Sequence, residues 1–312
     1  MEQISADEIR SLLQTTSTEK NMELDTLLDE IEPIVELDRT TDDNLFQAQL
    51  GNQNIIRFGL KGIARIQSHA YAESVIITAI GTPGYISMGH GERSALLLPA
   101  KGLLDWAVGT DPQSRIINQG HSWKMEQIIQ DGTGEVPGEL LRPLNKTQLY
   151  FGKGLLNFAI KFILYHELAH LKFQHSGSTI EIENEADRFA AEWMSEATID
   201  SSDNTGVERL VTLFGISAVL LWVTVPDILG EIKSTTHPKG YDRLYHVLDN
   251  VIASDNEQEY GMVWDFVARM LYVHMWNAGY IFDKDYGEHV KGDSKVEVNY
   301  LIDLISKWDR NR

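Results

Sequence analysis

Apolar side chains return every three or four positions through residues 151–173, at Leu155, Ala159, Phe162, Ile163 and Phe173. That spacing predicts a helix with one buried face. Residues 180–194 repeat it with Ile182, Ala186, Phe189, Ala190 and Trp193. From about Lys146 onward nearly everything reads as helix, with elements expected at 147–174, 180–198, 204–223, 239–253, 257–278 and 295–309. The first part of the chain is patterned differently. Residues 6–38 read as one or two helices built on Leu12, Leu13, Leu24, Leu27, Leu28 and Ile31. Residues 54–88 are rich in apolar and β-branched positions with Gly, Pro and Ser punctuation, and they read as strands. Residues 108–138, rich in Gly, Asp, Asn and Pro, read as a long loop region. The expected fold class is α+β, with an N-terminal α+β region at 1–145 and a helical domain at 146–312.

The helix expected at 147–174 carries His166-Glu-Leu-Ala-His170. Both histidines fall on its apolar stripe and share one face, four residues apart. Two neutral imidazoles so placed can grip one zinc ion, with Glu167 beside it as a base. The competing reading is a pair of core histidines satisfied by hydrogen bonds. A catalytic zinc takes three protein ligands and keeps one position open. The next helix offers Glu181, Glu183 and Glu185. At 100° per residue, Glu183 and Asp187 lie one turn apart on the border of its buried face, flanking Ala190 and Met194. Glu185 falls on the other flank with Glu181, Arg188 and Glu192, and reads as solvated surface. The expected metal ligands are therefore His166, His170 and Glu183, with Asp187 holding a ligand histidine by its free ring N–H. His175 lies off that face and reads as a helix-end residue. A zinc so held lowers the pKa of water toward about 7. Glu167 would take the proton and return it to a leaving amine.

The pair of motifs resembles the gluzincin zinc peptidases, whose ligand Glu precedes an Asp by four residues, as in Glu183-Asn184-Glu185-Ala186-Asp187. A downstream His237-Pro238-Lys239-Gly240-Tyr241-Asp242-Arg243 is similar to a string of the HtpX and CAAX-prenyl-protease group. Taken together, residues 160–245 more closely resemble the phage-exclusion protease Lit family. The ImmA/IrrE group shares the HELxH and E-x-E-A-[DN]-x-F-A strings. The resemblance implies a mainly helical, zincin-like metallopeptidase domain with a small antiparallel sheet packed on the HExxH helix. Its edge strand would pair with the substrate backbone, and residues 54–88 are the candidates for it. It implies an oxyanion donor at His237 or Arg243, with Tyr241 as a third choice. A helix-start signal is the alternative account of His237-Pro238. It also implies a latent enzyme that cuts one host protein, elongation factor Tu, once a phage-derived peptide is bound to that target, and so a role in phage exclusion and antiviral defence. An ImmA-like peptidase that cleaves a regulator, and a non-catalytic zinc-containing binding module, are the alternatives.

Composition narrows the partners. The formal net charge of −19 disfavours a nucleic-acid grip and adsorption on an anionic membrane. No cysteine is present, so thiolate chemistry and cysteine-held zinc are excluded. The acidic, polar start is unlike a secretory signal, and a cytoplasmic protein is expected. The longest uncharged apolar run, Leu210–Val225, is short of the ~20 residues of a bilayer span. It reads as a buried core helix, with a membrane-associated surface helix as the alternative. Gly81-Thr-Pro-Gly84 reads as a turn and Gly89-His90-Gly91 as a loop, while His121, His246, His274 and His289 show no partner in the sequence.

Overall fold

In the computed structural model, the structure describes residues 2–4, 6–14, 18–38, 46–108, 136–177, 179–196, 205–229, 238–250, 257–282, 286 and 292–310. The chain opens with β1 (Glu2–Ile4), α1 (Ala6–Leu13) and α2 (Thr18–Ile31). Next come β2 (Ile34–Asp38), β3 (Phe46–Gln49) and β4 (Ile55–Gly59). Then follow α3 (Leu60–Ile80), a single 3₁₀ turn at Tyr85–Ser87, α4 (His90–Ala107) and the short α5 (Gly138–Leu141). The remaining helices are α6 (Lys146–Lys172), α7 (Ile180–Glu196), α8 (Thr205–Leu229), α9 (Gly240–Asn250), α10 (Glu257–Asn277) and α11 (Ser294–Arg310). The class is α+β: mostly helix, with one small sheet.

That sheet is mixed, not antiparallel. Its order is β1-β2-β4-β3, with β1 and β3 antiparallel to their neighbours and β2 parallel to β4. Its strands also differ from the expected ones. Of residues 54–88 only 55–59 form a strand, and 60–80 are helical. The reason lies in burial. Every residue from Ile66 to Ile76 is buried, the polar Gln67, His69 and Glu73 included, so this part of α3 shows no one-sided apolar period. Gly89-His90-Gly91 is likewise not a loop: Gly89 caps α4, whose first residue is His90. The expected loop at 108–138 lies almost wholly outside the described residues.

One contiguous apolar core runs from Ile4 and Ile9 through Tyr71 and Leu156 to Leu271 and Ile305. The helix α6 crosses it. Its start is closed by a capping box: Gln148 N donates to Asn145 Oδ1 at 3.0 Å, and Asn145 N donates to Gln148 Oε1 at 2.9 Å. Gly152 lets α3 approach closely, since a Cβ there would lie 2.2 Å from Tyr71 Cδ1. The apolar run at 210–225 forms the middle of α8 and buries Leu213, Ile216, Val219, Leu220, Leu221 and Val225 in the core. No described helix is long and apolar enough to cross a membrane.

Candidate metal centre

Five elements converge on one cleft of about 490 Å³, lined by His166, Glu167 and His170 of α6, Glu183 of α7, Val219 and Trp222 of α8, Arg243 of α9 and Phe46–Ala48 of β3. The i, i+4 spacing on α6 brings His166 Nε2 to 3.1 Å from His170 Nε2. Glu183 closes the triangle, with Oε2 3.4 Å from His166 Nε2 and Oε1 3.9 Å from His170 Nε2. Ligand atoms around a tetrahedral zinc lie about 3.3 Å apart, from bond lengths near 2.0–2.1 Å. The three side chains are therefore placed where such an ion could be held. Glu183 is buried, whereas the side chain of Glu185 is 44% exposed, in keeping with the helical wheel.

Both histidines have a polar neighbour behind the ring. His166 Nδ1 lies 2.9 Å from Asp187 Oδ1. His170 Nδ1 lies 2.9 Å from His175 Nδ1, and His175 Nε2 is 3.1 Å from Glu185 Oε2. The Glu185 carboxylate can only accept, so His175 carries its proton on Nε2 and accepts from His170 Nδ1–H. That leaves His170 Nε2 as a lone pair aimed at His166 Nε2. A proton or a cation must lie between the two nitrogens, which is the chemistry of a metal ligand pair. His175 thus turns back onto His170, and Glu185 anchors it. His175 does follow the end of α6 and the side chain of Glu185 is 44% exposed; what the sequence did not signal is that the two contact each other and that His175 contacts His170. The chain reverses after α6 through Gln174 and Gly177, both at positive φ, and that reversal carries His175 back. No periodicity signals it.

The electrostatics follow from crowding of buried charge. Burial alone would lower the pKa of His166, but Asp187 and Glu183 outweigh it and push it up to about 9. Burial and the neighbouring His166 bring His170 down to about 4. Burial would raise Glu183, yet contact with His166 and the nearby Arg243 bring it down to about 2. Asp187, fully buried, is held far below the usual carboxylate range because Arg243 outweighs its desolvation. Glu167 goes the other way: burial raises it above the ordinary value, against the pull of His166 and of Ala48 N–H.

Arg243 is committed to Asp187. Its Nε donates to Oδ2 and its Nη2 to Oδ1, both at 2.7 Å, while Nη1 lies 3.7 Å from Glu183 Oε2. Gly240 makes that reach possible, because a Cβ there would strike the Val223 carbonyl oxygen of α8 at 2.3 Å. Tyr241 is buried and does not line the cleft. His237 lies outside the described residues. Beyond the expected residues, Ala48 enters the site: its N–H donates to Glu167 Oε2 at 2.6 Å. β3 is an edge strand, seated by Phe46 packing edge-on against Phe58 at 5.0 Å and Trp222 at 6.1 Å.

No curated protein and no solved structure matches the chain. The family model for peptidase U49 matches residues 88–267. That span is more than half of the chain and holds every helix that supplies a side chain to the cleft, and the protein belongs to the peptidase U49 family.

Proposed function

We propose that the protein is a zinc-dependent endopeptidase of gluzincin type, with a zincin-like fold, whose ion is held by His166, His170 and Glu183. The family makes it a peptidase, and so sets the reaction as peptide-bond hydrolysis. The observation that carries the zinc reading is the convergence of those three side chains, all ligand atoms within 4.8 Å of one another. When bound, the zinc supplies Lewis acidity, which makes water nucleophilic at neutral pH and polarises a carbonyl.

The chain's own residues do the rest. Ala48 N–H holds Glu167 by Oε2 and leaves Oε1 to take a proton from the attacking water. Burial keeps Glu167 more basic than an ordinary carboxylate, which suits a base that must also give the proton back to the leaving amine. The presence of Glu167 beside the three side chains favours an enzyme over a mere binding module, which has no use for a base there. The free edge of β3 borders the cleft and can take an extended polypeptide by strand addition. Arg243 fixes Asp187, and Asp187 fixes His166. An oxyanion would be met by Arg243 Nη1 or by His237.

The substrate we propose is one folded host protein, elongation factor Tu, cut in the cytoplasm when a phage-derived peptide is bound to it. The HELAH and ENEAD strings and the later His-Pro, which resemble the Lit family, support this target. The test is incubation of the purified protein with elongation factor Tu, with and without the phage peptide, followed by mapping of new N-termini. A single peptide-dependent cut is expected. It should vanish with Glu167→Gln or a chelator and return with zinc. Rapid unselective digestion of casein, or an intact target with zinc and peptide present, would overturn the target. Undiminished cleavage by Glu167→Gln would overturn the mechanism.

A further inference from the structure

A second cluster of ligand-type side chains lies outside the cleft. His69 and Glu73 sit four residues apart on α3, and His274 on α10 meets them from 201 residues away. All three are buried, at 1%, 0% and 3% exposure. His274 Nε2 lies 3.0 Å from Glu73 Oε1, and His69 Nε2 lies 3.7 Å from the same oxygen. The two imidazole rings stack 11° from parallel with centroids 5.3 Å apart. One donor atom from each side chain falls within 4.8 Å of the other two.

The cluster is not satisfied as a hydrogen-bonded network. His69 Nε2 and Glu73 Oε2 are buried and make no hydrogen bond. If His69 Nε2 carries the proton, Glu73 Oε1 at 3.7 Å is out of hydrogen-bond reach. If it carries a lone pair, that lone pair faces a carboxylate. Either way a buried polar atom is left orphaned, which native interiors rarely tolerate. A cation removes the conflict. Two imidazole nitrogens and one Glu73 oxygen supply three donors of the kinds zinc takes, and Glu73 Oε2, which makes no hydrogen bond, can bind the same ion. The observed 3.0 and 3.7 Å separations bracket the ~3.3 Å edge of a tetrahedral zinc site.

We infer that His69, Glu73 and His274 form a second metal site, structural in kind, for zinc or a similar divalent transition cation. None of its ligands lines the cleft, and their burial leaves no position for substrate. The ion joins α3 to α10. Through Tyr71, which packs against Gly152, the same α3 backs the helix that carries His166 and His170.

The test isolates the inner site in the full chain. The double variant His166→Ala, His170→Ala removes the cleft ligands. After dialysis at low free zinc, elemental analysis should find about one zinc per chain in it and about two in the wild type. Its melting temperature should rise with zinc and fall with a chelator. Its cobalt form should show the visible bands of a four-coordinate ion. Adding Glu73→Gln should remove the remaining zinc and the metal-dependent shift. If that triple variant does not fold, His274→Gln alone should lower the content of the otherwise intact protein from about two to about one. A folded double variant with no bound zinc and a melting temperature indifferent to zinc would overturn the site. So would a wild type whose zinc content His274→Gln leaves unchanged.

Discussion

The backbone N–H of Ala48 donates to Glu167 Oε2 at 2.6 Å, across 119 residues of sequence. It ties the edge of the sheet to the side chain proposed as general base. That hydrogen bond lowers the pKa of Glu167 against the larger effect of burial, which raises it. Ala48→Pro removes the donor while leaving the pairing with β4, since this N–H is turned toward Glu167 and away from the ladder. The acidic limb of the kcat/KM profile should then move to higher pH, with zinc content unchanged. An unmoved limb would separate Glu167 from the proton transfer. Glu167→Gln should keep the metal and lose about 100-fold or more in turnover.

Zinc affinity should fall in graded steps. His166→Ala, His170→Ala and Glu183→Ala remove a proposed ligand and should abolish tight binding in the cleft. His175→Ala leaves all three ligands but frees the His170 ring, and outer partners of this kind typically change affinity by about 10- to 100-fold. Glu185→Ala should act in the same direction and more weakly, because its side chain is 44% exposed. Competition against a chelator of known affinity reads the series. Equal affinity in His175→Ala and the wild type would show that the contact between the two rings orients nothing.

Metal entry should release a proton. Without metal, His166 is pushed up to about 9, so near neutral pH a proton occupies the gap that the ion would take. Binding near pH 7 should therefore release about one proton, and affinity should rise about tenfold per pH unit until about pH 9. The same shift stabilises the metal-free fold. Its contribution is full below about pH 6.5, the ordinary value for histidine, and is lost as pH rises through about 9. Calorimetry in two buffers of different ionisation enthalpy measures the proton count.

Arg243→Ala should destabilise the protein by about 3–5 kcal/mol, because it strips a fully buried carboxylate of both its guanidinium hydrogen bonds. Arg243→Lys should cost less and still lose the two-point fit. The Asp187 pKa is depressed by that partner, so its share of stability is present above about pH 4 and falls away as pH drops toward its folded value. Urea unfolding at pH 7 and at pH 3 tests both claims. In the arginine variants the loss of stability on acidification should shrink.

Gly240→Ala should misplace Arg243 without touching it. An added Cβ meets the Val223 carbonyl oxygen at 2.3 Å, and backbone cannot yield as a flexible side chain does. Destabilisation of about 1–3 kcal/mol is expected, together with weaker zinc binding. Thermal melts and chelator competition check the two effects separately.

Local periodicity is written into the chain, and it determined much of this protein before any folding. The stripe on α6 places His166 and His170 on one face, and the wheel of α7 separates a buried Glu183 and Asp187 from a half-exposed Glu185. The helices α7, α9 and α11 were legible because each buries one side and leaves the other to solvent. The helix α3 was not, because it is buried all round and its composition resembles strand. The mixed order of the sheet was also beyond local pattern, since a parallel pair of β2 and β4 depends on where the intervening chain passes. Tertiary structure alone decided that Ala48 meets Glu167, that His175 turns back onto His170, that Arg243 reaches Asp187, and that His274 closes on Glu73. Those contacts join segments 5 to 201 residues apart, and a hydrogen bond or ion pair over such a separation leaves no period in the sequence. It exists only because burial of the core has brought the two ends together and made an unpaired charge there too costly to keep.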